Sequence, residues 1–350
     1  MLLAPGSGIA AASAQAGVPA GLFYSCDGDP GITRVRRGTA FAYRDPQGRW
    51  IKDPAELARI RKLAIPPAYE AVWICPSADG HLQATGRDAR GRKQYRYHEQ
   101  WRAERDGGKF DRMLAFAHAL PRLRRSVKRQ LADDGHSREV ILATVVRLLD
   151  ATLVRVGNEE YARQNGSYGL TTLRNRHAKV RGQSVQLSFR GKSGIRHDVE
   201  IRDPKVARVV KRCLHLPGQE LFQYRDDGGE LRGVSSSDVN DWLRATCGDE
   251  FTAKDFRTWH GSVLALETLR ILHGRGEPFA LKHLLAVVAH NLGNTPAVCR
   301  KAYIHPALLK LAGELVADRD RPVDWAMRPV KGLSAAEQRL VAYLDSCEPS

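Results

Sequence analysis

Tyr303 closes the stretch Asn294-Thr-Pro-Ala-Val-Cys-Arg-Lys-Ala-Tyr303. Thr295 is placed to cap a short helix and Pro296 suits its first position. Pro306 then discourages helix through His305. The phenol therefore stands near the end of a brief helix, directly behind the cations Arg300 and Lys301. A tyrosine in that setting can be an ordinary amphipathic surface residue. It can also be a nucleophile aimed at a phosphodiester, and three basic motifs upstream have the character that reading needs.

The first is Arg155. The spacing predicts a helix from Ser137 with Ile141, Val145, Leu148 and Thr152 along its inner stripe, and Arg155 falls three residues further on. Val156-Gly157-Asn158 follows as a helix stop. An inward cation requires an anion or hydrogen-bonding partner; Glu159 or Glu160 would serve in a structural salt bridge. The second is Lys192, in the glycine-bracketed turn Arg190-Gly-Lys-Ser-Gly194, where a lysine on a hairpin tip is either solvated or swings toward something outside its own sheet. The third is Arg257, in the first turns of a helix that the capping box Thr252-Ala-Lys-Asp255 opens. A cation there opposes the helix dipole, so a bound anion is a reasonable companion.

The elements that must position these groups fall in two blocks. From about residue 22 to residue 98 the chain reads as strands: Thr39–Tyr43 with a turn at Asp45–Gly48 and Trp50-Ile51 beyond it, then Val72–Cys75, His81–Thr85 and Lys93–His98. Asp53-Pro54 opens one short helix there. In the last strand alternation puts Tyr95 and Tyr97 on one face and Gln94 and Arg96 on the other. Phenols beside cations can line a nucleic-acid groove, or the tyrosines can simply fill a core. A charged segment over Trp101–Lys109 reads as a linker. Beyond it the pattern is mostly helical, interrupted by Tyr168–Arg174, Val185–Phe189 and Ile195–Ile201 as a small antiparallel sheet. Ser236 or Ser237 caps one helix, Phe279–Leu292 forms another, and Ser334–Asp345 is a C-terminal one.

The composition bounds the class. The 350 residues, 43% hydrophobic and 27% charged, suit a soluble protein of two domains. A formal net charge of +16 favours a polyanionic partner, nucleic acid above all, over a charge kept only for solubility. Six scattered cysteines without a C-x-x-C pair argue against zinc and disulfides and for a reducing compartment. Residues 1–21, rich in Ala, Gly and Ser, read as a disordered tail rather than a signal peptide. No phosphate-binding loop, dinucleotide fingerprint or metal-ligand spacing is present in the sequence.

In order, Arg155 in Arg-Val-Gly-Asn, Lys192 in Phe-Arg-Gly-Lys-Ser-Gly, Arg257 in Ala-Lys-Asp-Phe-Arg-Thr-Trp and Tyr303 in Cys-Arg-Lys-Ala-Tyr form a set that resembles the type IB DNA topoisomerases, in their compact poxvirus-like bacterial branch. Gly91–Tyr97 and Tyr168–Arg174 extend the resemblance. It implies an α+β fold. A small β-rich N-terminal domain over residues 22–104 would join a larger, mainly helical, tyrosine recombinase-like catalytic domain over 105–350, with a small antiparallel sheet. The two would close as a monomeric clamp round duplex DNA.

Carried across by position, Tyr303 is the nucleophile, Arg155 and Arg257 the transition-state cations, and Lys192 the general acid. Where the family usually has histidine, this chain has Asn294, which can donate a hydrogen bond but not carry charge. Lys93, Gln94, Tyr95, Tyr97, Tyr168 and Lys254 are the expected DNA contacts. The implied activity is relaxation of supercoiled DNA through a 3′-phosphotyrosyl intermediate, strand rotation and religation, with no ATP, metal or other cofactor. The implied place is the cytoplasm, on the nucleoid, with no membrane. A tyrosine recombinase and an inactive basic DNA-binding protein are the alternatives; the strands at the N-terminus tell against the recombinase.

Overall fold

The computed structural model describes residues 20–38, 40–88, 93–101, 108, 110–248, 251–276 and 280–347. The greater part of the expected tail and of the expected linker, and the helix start expected at Phe279, lie outside the described residues. The chain divides into two compact units, Met1–Gly108 and Lys109–Ser350.

The first unit is a five-stranded antiparallel sheet in the order β2-β1-β3-β4-β5, with β1 Ile32–Arg37, β2 Ala40–Arg44, β3 Glu70–Ile74, β4 Leu82–Arg87 and β5 Lys93–Tyr97. Helix α1 (Pro54–Lys62) starts where Asp53 accepts from Ala55 N at 3.1 Å, and its Ile60 packs on Ile32, Val72, Ile74 and Ala84. Beyond the turn at Asp45–Gly48, Trp50 makes only an isolated bridge to Arg44, so the second hairpin strand expected there does not extend.

The second unit is built round α3 (Arg138–Thr152), which follows α2 (Met113–Gln130). Ser137 caps α3. The sequence predicts an amphipathic helix, but everything from Val140 to Val146, together with Leu148, Leu149 and Asp150, is buried. A helix apolar on every side belongs at the centre of a core. Against it pack α2, α5 (Pro204–Leu214), α6 (Ser236–Cys247) and α7 (Ala253–Gly274). Helices α8 (Leu281–Leu292), α9 (Pro296–Ala302), α10 (Pro306–Ala317) and α11 (Ala335–Cys347) complete the unit on the α7 side. The cap of α6 is Ser235, just before the expected Ser236 or Ser237, because Asp238 returns its hydrogen bond at 2.8 Å.

The small sheet is an antiparallel meander of β6 (Ala178–Arg181), β7 (Ser184–Arg190) and β8 (Arg196–Arg202). The strand expected over Tyr168–Arg174 is instead a single 3-10 turn, Leu170–Thr172. Thr172 Oγ1 accepts from Gly169 N at 3.0 Å, and such local side-chain bonds compete with a strand ladder. Two hydrogen bonds that a strand would have given to the sheet go elsewhere: Leu170 N donates to Arg155 O at 2.9 Å and Thr171 N to Val156 O at 2.6 Å.

Among the described residues no helix is long and apolar enough to cross a membrane.

Candidate active site

Arg155 is set by the end of α3. The helix stops at Thr152 because Leu153 turns left-handed, with φ +59°, and the chain leaves the helix axis two residues before the arginine. Arg155 therefore lies beyond the helix rather than on an extension of its inner stripe, and Asn158 is the N-cap of α4 (Glu159–Asn165) rather than part of a stop. Two glycines let the next segment close on it. A Cβ on Gly169 would stand 2.6 Å from Arg155 O and from Gly157 Cα, so the backbones meet only without side chains. Arg155 Nη2 donates to Asn294 Oδ1 and, at 3.5 Å, to Gly293 O. Among the described residues it thus donates to an amide and a carbonyl; the Glu160 side chain expected as one possible salt-bridge partner lies outside them.

Arg257 is 3% exposed, on the second turn of α7. Its Nη2 donates to Leu292 O at 2.7 Å, and its Nη1 donates to Leu153 O. Leu292 is the last residue of α8 and Leu153 the C-cap of α3. Carbonyls at helix C-termini lack intrahelical partners and carry the negative end of the dipole. The guanidinium therefore sits at the favourable ends of two helices, which offsets its poor position on its own. No carboxylate is needed to bury it, and the guanidinium carbon lies 5.0 Å from the centre of the Tyr303 ring.

Tyr303 is the C-cap of α9, whose Thr295 caps the other end and whose Pro296 starts it. Its backbone rests on α7 one turn beyond Arg257. A Cβ on Gly261 would fall 2.7 Å from Tyr303 O, and Ser262 Oγ donates to that carbonyl at 3.2 Å. Burial alone would raise the phenol's pKa, but the charge and hydrogen bonding of Arg257, then the charges of Arg155 and Lys254, outweigh it and bring it below the ordinary tyrosine value. Burial, and then the charge of Arg257, lower Arg155 to about 10, which leaves it protonated at neutral pH.

Asn294 follows Gly293, the left-handed C-cap of α8 at φ +56°, and its N–H donates to Ala289 O at 2.9 Å. This is a glycine-closed helix end that fixes the amide on Arg155. Lys192 is exposed on a one-turn hairpin tip between β7 and β8, as expected. Arg155, Lys192, Lys254, Arg257, Tyr303 and Tyr168 line one cavity of about 300 Å³. Asn294 reaches it through Arg155. Arg155 Nη1, Arg257 Nε and Asn294 Nδ2 are buried donors with no acceptor among the described residues. Buried donors are normally paired, so the two on cavity-lining arginines, with the third on the Asn294 amide behind Arg155, mark a place for an anion.

Asn158, Tyr161 and Ser167 also line the cavity. The sequence reading missed them; the cap signal of Asn158 ahead of two glutamates was the one available clue. The remaining expected DNA contacts, Lys93, Gln94, Tyr95 and Tyr97, lie on β5 of the first unit. There Tyr95 and Tyr97 stack with ring centres 6.0 Å apart, Tyr97 is 38% exposed, and Gln94 donates to Asp88 at 3.0 Å. The Lys93 side chain lies outside the described residues.

A family profile described as "Eukaryotic DNA topoisomerase I, catalytic core" matches residues 98–316, and one described as "Bacterial DNA topoisomerase IB, N-terminal domain" matches residues 40–88. The chain belongs to the type IB DNA topoisomerases. DNA topoisomerase 1B of Acanthamoeba polyphaga mimivirus is 31% identical over 317 residues, which cover 86% of this chain and 94% of the viral one. DNA topoisomerase 1B of vaccinia virus (strain Copenhagen) is 23% identical over 263 residues, 72% of this chain and 77% of its own. DNA topoisomerase 1 of Mycosarcoma maydis is 26% identical over 194 residues, 49% of this chain and 19% of its own. As a type IB topoisomerase the chain is an enzyme whose substrate is duplex DNA and whose activity is the relaxation of supercoils, in an α+β fold as expected.

Proposed function

We propose that Tyr303 cuts one DNA strand, that Arg155, Arg257 and Asn294 bind the reacting phosphate, and that Lys192 protonates the leaving group. The Tyr303 phenol gives its proton to water, its phenolate oxygen attacks phosphorus, a P–O bond to the enzyme forms, and the bond to the 5′-oxygen breaks. The ammonium of Lys192 gives its proton to that oxygen and becomes an amine. Negative charge grows on the two nonbridging oxygens in the five-coordinate transition state, and fixed donors in a water-poor site are worth most there. Guanidiniums suit the task because they keep their protons and present a planar fork. The covalent phosphotyrosine stores the energy of the broken bond, and the 5′-hydroxyl reverses the reaction with Lys192 as base. Between the two steps the cut strand rotates about its partner.

The observation that carries this reading is that Arg155 and Arg257, each with a buried donor left unpaired among the described residues, line one cavity with Tyr303. One chain supplies all five groups, which supports action as a monomer. In the same reading, residues 22–104 form the N-terminal DNA-clamp domain and residues 105–350 the catalytic domain. Tyr95 and Tyr97 present their phenols to the DNA backbone, Tyr168 and Lys254 flank the scissile phosphate, no nucleotide is consumed, and the enzyme works on the nucleoid. The test is plasmid relaxation by Tyr303→Phe. Retention of the DNA binding with no relaxation is the expected result; relaxation at the parent rate would remove Tyr303 from the chemistry.

A further inference from the structure

His197 is outside the five proposed groups but touches two of the segments that carry them. It lies on β8 opposite Phe189 of β7, and the two rings stack with centres 5.1 Å apart and planes 16° from parallel. A Cβ on Gly191 would stand 2.6 Å from His197 Cδ2, and one on Gly293 would stand 2.7 Å from His197 Cε1. Gly191 immediately precedes Lys192. Gly293 immediately precedes Asn294, and its carbonyl accepts from Arg155. The imidazole is thus wedged between the hairpin tip and the Asn294 turn. Gly293 is left-handed and would favour glycine in any case, but Gly191 has φ −94° and ψ −165°, a conformation open to any residue. What excludes a side chain at position 191 is the ring.

We propose that His197 is a positioning residue whose imidazole, packed against Gly191 and Gly293, sets how far the Lys192 hairpin stands from the Asn294 turn and hence the reach of the lysine to the leaving 5′-oxygen. The proposal rests on the assignment of Lys192 as general acid. Burial, then the charges of Arg155 and Arg257, lower the imidazole's pKa from its ordinary value, so the wedge is a neutral body at neutral pH. Without the ring, Lys192 loses its register with the phosphate, and an error of about 1 Å in a reacting group costs on the order of 100-fold in rate.

The test compares single-turnover cleavage of a duplex with the ordinary 5′-oxygen and of its 5′-bridging sulfur analogue, whose thiolate leaves without a proton. His197→Ala should lose on the order of 100-fold on oxygen and return close to the parent rate on sulfur. Gly191→Ala, whose methyl displaces the ring, should behave alike. The double variant should be no slower than His197→Ala alone, since both changes act through one contact. If His197→Ala does not fold, Gly191→Ala gives the same reading by itself. Oxygen cleavage at the parent rate, or slow cleavage on sulfur by the His197 or Gly191 variant while Lys192→Ala is rescued, overturns the proposal. If sulfur fails to rescue Lys192→Ala too, the general-acid assignment falls first and takes the proposal with it.

Discussion

Arg257 is held by two backbone carbonyls, Arg155 by a side-chain amide and a longer contact to one carbonyl, and the difference predicts different costs of removal. Either alanine variant should lose on the order of 100- to 1000-fold in cleavage, as for any donor to a developing oxyanion. Arg257→Ala also strips a side-chain donor from Leu153 O and from Leu292 O, and a buried acceptor left unpaired costs about 1–3 kcal/mol. Arg155→Ala takes a donor from the Asn294 amide, which is only half-buried and can turn to water, and breaks one long contact of 3.5 Å to Gly293 O. Thermal unfolding should therefore show a clear loss for Arg257→Ala and a small one for Arg155→Ala. Equal losses would contradict the seating of Arg257 on helix ends. Sequence could single out both arginines by motif, but not their partners. Those carbonyls and Asn294 come from segments more than a hundred residues away from Arg155 or at other helix ends, and no local pattern records such a meeting.

At the level of elements, the catalytic unit is tied by a buried charge cluster away from the cavity. Arg124 of α2 bonds Asp150 of α3 at 2.9 Å and Glu337 of α11 at 2.7 Å; Glu337 also accepts from Trp259 of α7 at 3.0 Å. Burial alone would raise the Glu337 carboxyl, but its bonds and proximity to Arg124 lower it to about 2. A carboxylate lowered on folding stabilises the fold above its unfolded pKa, about 4.3, and that contribution is lost as pH falls toward the folded value. The parent should lose stability between about pH 4.3 and pH 2, with Asp150, also lowered, adding to the effect. Glu337→Gln should be less stable at pH 7 by about 3 kcal/mol, and its stability should fall less steeply over the acid range. A parallel decline of both proteins would remove Glu337 as the cause. Helices such as α1, α7 and α9 were readable from caps and prolines because those signals are local. The strand at Tyr168–Arg174 was misread because its N–H groups are claimed by the Arg155 segment, a tertiary fact.

For the whole molecule, the net charge of +16 and the family's substrate make affinity a matter of phosphate contacts. DNA affinity should fall linearly in log–log terms with salt, and six or more phosphate contacts would cost about 1000-fold or more between 50 and 200 mM. A dissociation constant that moves less than about tenfold would contradict an enzyme that encloses the backbone. The α+β fold and the duplex DNA substrate were legible because composition, an ordered motif set and local periodicity all agreed. The fit of His197 between two glycines was not, since it joins positions 191, 197 and 293 only in space. The most direct measurement traps the enzyme on a duplex whose cut strand cannot be resealed, digests the adduct, and identifies the peptide that bears the nucleotide. The proposed site predicts a phosphodiester from the DNA 3′ end to the oxygen of Tyr303; an adduct on any other residue, or cleavage with no covalent adduct, would contradict it.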